Sequence, residues 1–202
     1  MPPRWFCIYL ASAVLIFSSC TARPNEPLSK AAAAGDLTEV SRLLAQGASM
    51  SDREGALIWA ARYGQPEAID LLVKNGADPN GRGGVNDWTV LMHAIHKQQP
   101  KSVVALLKNG ADANARGRKG ETALMMAAGY GYADIVRILL DHGADAQATL
   151  DNGDNALDFA TSGVMDIDRF TWGKCQSGAV RLLRERAPSL HPKNEKKLQN
   201  CS

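Results

Sequence analysis

An excess of charge of either sign is absent from this sequence. Among its 202 residues, 23 are Lys or Arg and 21 are Asp or Glu, which gives a formal net charge of +2. Because no field of one sign would draw the chain onto phosphates, we do not expect it to bind nucleic acid. The charged fraction (22%) and the hydrophobic fraction (45%) are those of an ordinary globular protein, and the length allows one core-bearing domain.

Recognisable catalytic motifs are equally scarce. No glycine-rich loop of the phosphate-binding type occurs, and no serine or cysteine has a base signature nearby. His93 and His96 have the spacing of a metal-binding pair, but no Cys or carboxylate completes a site at a recognisable spacing. The other two histidines, His142 and His191, lie at unrelated positions. We therefore expect no enzyme activity, no bound metal and no cofactor.

The apolar run at the N-terminus, from Trp5 to Phe17, is shorter than the ~20 residues that a membrane-spanning helix needs. A single charge, Arg4, precedes this run, and two small residues follow it ahead of Cys20, which gives the three regions of a secretory signal. The polar, proline-broken segment that comes next disfavours a buried core helix. We predict a signal peptide over residues 1–19 and a linker over residues 20–27.

The letters FSSC at the end of this signal resemble the cleavage box of bacterial lipoproteins. The resemblance implies that Cys20 becomes the first mature residue and carries lipid, because its thiol can be alkylated. Several acyl chains there would anchor the protein to a membrane, since one chain alone binds only marginally. By the same resemblance, Thr21 implies a periplasmic protein held at the outer membrane of a two-membrane bacterium. Plain secretion after a cut nearby is the alternative.

Few cysteines remain beyond the signal peptide, namely Cys20, Cys175 and Cys201. If Cys20 is lipidated, the other two are left in an oxidising compartment, where a disulfide between them would tie the C-terminal tail to the last folded unit. Two unpaired thiols on flexible segments are the alternative, because the sequence does not give the distance between their Cα atoms.

What the sequence does contain is one phrase written several times. LVKNGADPNG, LLKNGADANA and LLDHGADAQA are near copies, and LLAQGASMSD is a fainter one. The glycine of this phrase recurs at positions 47, 76, 110 and 143. A leucine ahead of each alanine-rich turn keeps the same period, with spacings of 29, 34, 33 and 33 between Leu28, Leu57, Leu91, Leu124 and Leu157. Two independent markers with one period predict a repeat array.

One unit of the array predicts a pair of helices. The first spans Thr122 to Gly129, where the Thr122 hydroxyl can cap the helix, and the second spans Asp134 to His142, where Gly143 can take the left-handed conformation that ends it. The second helix is apolar over more than one stripe, so it must be packed on both sides. A single unit cannot bury these faces, and the units must stack.

This pattern resembles the ankyrin repeat. The match to the motifs G-x-T-P-L-H-x-A-A and V-x-x-L-L-x-x-G-A-D-x-N is fullest over residues 120–146, and Val90 and Ala123 replace the usual Pro after Thr. The resemblance covers residues 28–187. It implies an all-α solenoid of about five helix-turn-helix units with short hairpin fingers.

The two ends depart from the pattern as capping units should. In the last unit Arg184 stands where Leu140 stood one unit earlier, which predicts a polar outer face. This unit also carries an insertion near residues 162–174, which either has a function or covers the end of the stack. The tail over residues 188–202 is polar, and we expect it to be mobile apart from any tether at Cys201.

In the ankyrin family, the fingertips and the exposed positions of the first helices form a concave surface that binds proteins. The resemblance places such a surface here on Arg62, Tyr63, Val85, Asn86, Trp88, His96, Lys97, Arg118, Lys119, Glu121, Tyr130, Asp151, Asn152 and Asp154. Trp88 is either an interface anchor or a side chain that packs on a neighbouring finger. Tyr63 and Tyr130 are likewise either packing residues or contacts.

The predicted fingers differ in charge. Arg116, Arg118 and Lys119 make one finger basic, while Asp145, Asp151 and Asp154 make the next acidic. This alternation favours a protein partner with patterned charges, and a solvated surface without a selected pattern is the alternative. We expect Trp88→Ala combined with Lys119→Glu to weaken partner capture without unfolding the chain.

Three functions suit such a protein. Small ankyrin lipoproteins of this kind resemble immunity proteins that neutralise toxic enzymes, such as phospholipases, delivered into the periplasm. A support protein for peroxide defence and catalase is the first alternative, because some periplasmic ankyrin proteins are associated with those. A structural adaptor of an envelope complex is the second.

Overall fold

The computed structural model describes residues 26–84, 86–163, 174–193, 195–199 and 201. The predicted signal peptide, the lipid site at Cys20, most of the linker, Val85 and residues 164–173 of the insertion lie outside the described residues. No helix within the described ranges is long and apolar enough to cross a membrane.

The fold is built from short helices and one small hairpin. The helices are α1 (Pro27–Ala34), α2 (Leu37–Ala45), α3 (Met50–Tyr63), α4 (Pro66–Lys74), α5 (Val90–His96), α6 (Pro100–Lys108), α7 (Ala123–Tyr130), α8 (Ala133–Asp141), α9 (Ala156–Ser162), α10 (Ser177–Arg186) and α11 (Glu195–Gln199). The strands β1 (Arg82–Gly83) and β2 (Trp88–Thr89) pair antiparallel between α4 and α5, with Arg82 opposite Thr89.

The helices form five stacked pairs. The first helices α1, α3, α5, α7 and α9 contact one another in that order, and the second helices α2, α4, α6, α8 and α10 do the same. Each unit therefore touches its neighbours along two parallel rows, as a solenoid requires. The predicted all-α solenoid of five helix-turn-helix units is confirmed.

Local capping explains where the first helices begin. The Thr122 side chain accepts a hydrogen bond from the Met125 backbone N–H at 3.3 Å, and Thr89 caps α5 in the same way. In the last unit, Asn155 and Asp158 form a reciprocal capping box. These contacts satisfy backbone donors that have no partner inside the helix. The helix bounds predicted for residues 120–146 agree with α7 and α8 to within one residue.

In the turn between the two helices of a unit, a glycine packs against a glutamine side chain of the next unit. Gly131 ends α7 with a φ of 80°, in the left-handed region where a side chain is strained. The Gln176 side chain of the next unit covers this glycine so closely that a Cβ there would collide with it. Gly64 meets Gln99 in the same manner. The spacing between consecutive units is thus fixed partly by a missing side chain.

The core follows the two markers of the repeat. Leu57, Leu91, Leu124 and Leu157 are completely buried between successive first helices. The alanine three residues after each of them, as at Ala94 and Ala127, is fully buried as well, and its small size lets the helices approach closely. The stack therefore has one continuous hydrophobic core.

The first gap between units has no finger. Residues 46–49 connect α2 directly to α3, whose 14 residues include a turn that the other first helices lack. Ser49 and Asp52 cap this longer helix reciprocally. The irregular first spacing of the repeat, 29 residues between Leu28 and Leu57, is the trace of this missing finger in the sequence.

The later units are joined by a ladder of side-chain amides. Asn80 donates to the Gly110 carbonyl at 3.2 Å and accepts from the Asp112 backbone N–H at 2.7 Å. Asn114 repeats both bonds one unit later, to the Gly143 carbonyl at 3.0 Å and from the Asp145 N–H at 2.7 Å. These bonds fix the turn after each second helix to the corresponding turn of the next unit.

Two arginines join the fingers in a parallel ladder. The Arg82 guanidinium donates to the Arg116 carbonyl at 2.8 Å, and Arg116 donates in turn to the Thr149 carbonyl at 2.9 Å. Arg116, which we expected to contribute positive charge to a basic finger, is thus a structural link between fingers.

The C-terminal tail is docked on the last unit, so the expectation of a mobile tail is wrong. Asn155 Nδ2 donates to the His191 carbonyl at 2.7 Å, and the Lys193 backbone N–H donates to Asp158 Oδ1 at 2.8 Å. Leu190 of the tail is buried. The tail therefore covers the first helix α9 where a sixth unit would otherwise stack.

A disulfide holds the end of this tail. Cys175 and Cys201 are bonded, with their Cα atoms 5.5 Å apart. Arg184 is exposed, whereas Leu140 at the equivalent position one unit earlier is half-buried. The outer face of α10 thus has the polar character expected of a terminal unit.

Candidate protein-binding surface

A chain of ring contacts runs through the middle three units. We call it the aromatic seam, and its members are Trp59, Tyr63, Trp88, His93, His96, Tyr130 and Tyr132. Ring centroids of neighbours lie between 5.1 Å (Trp88 with His96) and 6.0 Å (His96 with Tyr130) apart. These separations are typical of favourable aromatic pairs.

Arg62 joins the first part of the seam to the second. Its guanidinium carbon lies 5.1 Å from the centre of the Trp59 ring, and its Nη1 lies 3.4 Å from His93 Nδ1. The planar cation can lie on one ring and donate to the other at the same time. The side chain of a predicted contact residue is thereby held between two units.

His93 is the buried centre of the seam. Its Nε2 lies 3.1 Å from the Gly83 carbonyl in the finger, and only 6% of the residue is exposed. Burial lowers the pKa of His93 to about 4, and the nearby charge of Arg62 acts in the same direction. The ring is therefore neutral at physiological pH.

Trp88 packs inside the surface as well as facing out of it. Its ring is half-buried against His93 and His96, and its Nε1–H donates to Glu121 Oε1 in the next finger at 3.0 Å. The second Glu121 oxygen accepts the Lys119 backbone N–H at 2.9 Å. Of the two interpretations of Trp88, packing on a neighbouring finger is the one that these contacts describe. The Glu121 carboxylate is likewise engaged within the protein.

Comparison with known proteins places the chain in a family. A family model for ankyrin repeats matches in three overlapping copies, over residues 11–83, 28–117 and 91–170. The chain belongs to the ankyrin-repeat family. Proteins of this family generally act as protein-interaction modules.

One curated relative is also similar. The mitochondrial disaggregase of Bos taurus is 31% identical over 176 residues, which cover 83% of this chain and 26% of that protein. The ankyrin chain thus spans about a quarter of the relative's length.

Two residues predicted on the concave ankyrin surface are buried instead. His96 and Tyr130 are each 7% exposed, and His96 Nδ1 lies 3.1 Å from Tyr130 Oη. Both lie in the last turn of a first helix, where the two rings meet across the gap between successive units. The expectation that His96 faces solvent is therefore wrong, and of the two interpretations of Tyr130, packing is the one that these contacts describe.

Other predicted residues do reach solvent. Tyr63 is 52% exposed at the N-terminal end of the aromatic seam, and Arg118, Lys119 and Asp151 are exposed on the fingers. Asn86 and Asn152 are exposed on the fingers as well, whereas Arg62, Lys97 and Asp154 are half-buried.

The contrast in charge between fingers is reduced only on the acidic side. Asp154 Oδ1 lies 3.7 Å from Lys193 Nζ of the docked tail, whereas Arg116 keeps its positive charge while it donates to a backbone carbonyl. Arg118 and Lys119 on one ankyrin finger and Asp145 and Asp151 on the next are exposed.

Trp59, Tyr132 and the place of His93 in the aromatic seam were not predicted from the sequence. Trp59 and His93 occupy the same position of their units, two residues after the marker leucine, and Phe159 does so in the last unit. That shared register is the signal that would have revealed a row of rings on one side of the ankyrin array. Within the described ranges, no three His, Cys, Asp or Glu residues are grouped so that they could hold a metal ion.

Proposed function

We propose that this chain is a non-enzymatic module that binds a protein partner across Tyr63 and the fingertips. The observation that carries the proposal is the half-exposed Tyr63 ring on the aromatic seam, since a large apolar ring on a rigid frame is a suitable interface anchor. Arg118 and Lys119 add exposed positive charge on a finger. Such charges steer a partner with complementary carboxylates.

The proposal extends to the place where the protein acts. The FSSC box supports lipid attachment at Cys20 and anchorage at the outer membrane, with the repeats in the periplasm. The disulfide between Cys175 and Cys201 supports an oxidising compartment, because such bonds persist mainly outside the cytosol.

Within that compartment, the function we favour is inhibition of a toxic hydrolase. A repeat array that displays a ring and charged fingertips can hold and block an enzyme without chemistry of its own. An immunity protein against a periplasm-delivered enzyme such as a phospholipase meets this description. The similarity to a disaggregase concerns a quarter of that protein and does not support a disaggregase activity here.

Capture from envelope extracts tests this function. Residues 21–202 are immobilised, bound proteins are identified by mass spectrometry, and the hydrolase activity of the partner is measured with and without the chain. We expect one stoichiometric secreted hydrolase whose activity falls on binding. A catalase or an assembly component as the sole partner would contradict the immunity function.

A pair of variants tests the surface itself. Tyr63→Ala with Lys119→Glu removes the exposed ring and reverses a fingertip charge, and we expect it to weaken capture at least about tenfold. Lys101→Glu, an equal charge reversal on the exposed side of the second helix α6, is the control and leaves capture unchanged. Equal capture by all three proteins would remove the concave face from the proposal.

A further inference from the structure

A second groove lies at the C-terminal end of the array, away from the aromatic seam. We call it the end groove. It has a volume of about 490 Å³, and α10 and the C-terminal tail line it through Val180, Arg181, Arg184, Leu198 and Cys201. The groove is the space that remains where the tail replaces a sixth unit.

The tail wall of the groove is fixed in place by covalent and polar contacts. The disulfide ties Cys201 to Cys175, just before α10 begins. Lys197 Nζ donates to Ser162 Oγ at 2.9 Å and holds α11 against the end of α9. Leu198, between these two anchor points, is half-buried. The groove therefore depends on the disulfide for one of its two walls.

The floor of the groove is apolar and its rim is cationic. Val180 and Cys201 are 6% and 7% exposed. Arg181 and Arg184 lie one turn apart on α10, both exposed, and neither forms a hydrogen bond or an ion pair with any other described residue. Two unpaired guanidinium groups above an apolar floor fit carboxylates that are carried on an apolar segment.

Three other cations at this end are already engaged. Arg186 forms an ion pair with Asp141, and Lys193 Nζ donates to the Asn152 carbonyl at 2.7 Å. Lys197 is held at Ser162. A broad anionic surface such as a bilayer would gain only about 1 kcal/mol from each free cation, so two arginines favour a single acidic segment over a membrane.

The formal charge is also unevenly distributed along the sequence. Residues 26–163 contain 13 basic and 17 acidic residues, which gives −4, whereas residues 164–202 contain 8 basic and 4 acidic residues, which gives +4. An acidic segment approaching the array is therefore repelled by the body and attracted to the C-terminal end.

We infer that the end groove docks an acidic amphipathic segment of a protein partner. Carboxylates of the segment pair with Arg181 and Arg184, and its apolar side chains cover Val180, Leu198 and Cys201. This site is separate from the concave face, so it can fail or succeed independently of the proposed function.

The probe for this site is a fluorescein-labelled synthetic amphipathic helix with glutamates on one face and leucines on the other. Its binding to the full, oxidised chain is followed by fluorescence anisotropy at low salt. We expect Arg181→Glu with Arg184→Glu to weaken binding by about tenfold or more. Arg137→Glu reverses a charge at the position equivalent to Arg181 one unit earlier, and this control stays within about twofold of the unaltered chain.

A second arm tests the role of the disulfide. Cys175→Ser with Cys201→Ser releases the tail wall, and we expect a loss of peptide binding of about tenfold while circular dichroism still shows the helical array. Absence of peptide binding to the unaltered chain would overturn the inference, as would equal binding by the Arg181 and Arg184 double variant. Binding to phosphatidylglycerol vesicles that requires both arginines, without peptide binding, would replace the protein segment by a lipid surface.

Discussion

At the scale of single residues, the hydrogen bonds of His93 determine the tautomer of its neutral ring. The Gly83 carbonyl can only accept and the Arg62 guanidinium can only donate, so the ring must donate through Nε2 and accept through Nδ1. This is the neutral tautomer with the proton on Nε2. A second proton on Nδ1 would point at a cation, in agreement with the lowered pKa of about 4.

The pH dependence of stability follows from this state. Because the pKa of His93 is lower in the folded chain than in the unfolded chain, the unfolded state takes up the proton first as pH falls. We expect His93 to reduce the free energy of unfolding progressively between about pH 6.5 and pH 4, by up to about 3 kcal/mol. Urea unfolding over this range measures the loss, and His93→Gln, which cannot take up a proton, gives a shallower slope. Identical slopes for both proteins would contradict the assignment.

Trp88 makes a structural contribution that changes an earlier expectation. Trp88→Ala removes a half-buried ring and leaves the Glu121 carboxylate without its indole donor. We expect the free energy of unfolding to fall by about 2 kcal/mol, so this variant is not a clean probe of partner binding. Tyr63→Ala, at a ring that is half in water, costs less than about 1 kcal/mol. Chemical unfolding of both variants checks the difference, and equal losses would place Trp88 outside the packed structure.

The sequence predicts part of this surface and misses the rest for a physical reason. Repeat register locates Tyr63, Lys119 and Asp151 on exposed positions, because exposure there depends on the place of the residue in its own helix or finger. Burial of His96 and Tyr130 depends on two side chains that meet across a gap between units. Comparing equivalent positions of successive units gives no information about contacts between side chains at different positions.

At the scale of elements, the amide ladder couples each unit to the next. Asn114 forms two bonds to the following unit, with lengths of 3.0 Å and 2.7 Å. We expect Asn114→Ala to lower the free energy of unfolding by about 1–2 kcal/mol, since both bonds are lost together. Gln147→Ala loses one bond to Ser189 in the tail and costs less. Urea midpoints compare the two variants, and a larger effect at Gln147 would contradict the ladder.

Helices were predicted more accurately than their connections. Thr122 and Gly131 set the bounds of α7 locally, through a side-chain cap and a left-handed turn, so short stretches of sequence suffice. The long α3 was not predicted, although the spacing of 29 residues records that a finger is missing there. The shortened spacing shows that residues are missing between the two units, but it does not show that α3 is longer than the other first helices.

At the scale of the whole molecule, the disulfide closes the array. It spans 26 residues of sequence, and in the chain-entropy model a loop of this size contributes roughly 3 kcal/mol. We expect reduction to lower the stability by about this amount and to raise amide exchange first in α10 and α11, because a solenoid frays from an uncapped end. The same reductant has no effect on Cys175→Ser with Cys201→Ser. Uniform exchange along the array after reduction would contradict a local capping role.

The solenoid itself was predictable, whereas its closure was predicted only as one of two alternatives, through the disulfide between Cys175 and Cys201. Five units of one repeat require stacking because no unit can bury its faces alone. The docking of the tail rests on Asn155 and Asp158, which also cap their own helix, and on a bond between two distant cysteines. Neither contact repeats along the chain, so no periodicity signals it.

Because the first gap between units has no finger, the two ends of the array differ. The row of fingers begins only after α4, while the tail stands across α9 at the opposite end. A partner held on the fingers would therefore have different surroundings at its two ends, with no finger beside it over the N-terminal units and a docked tail beyond the last unit.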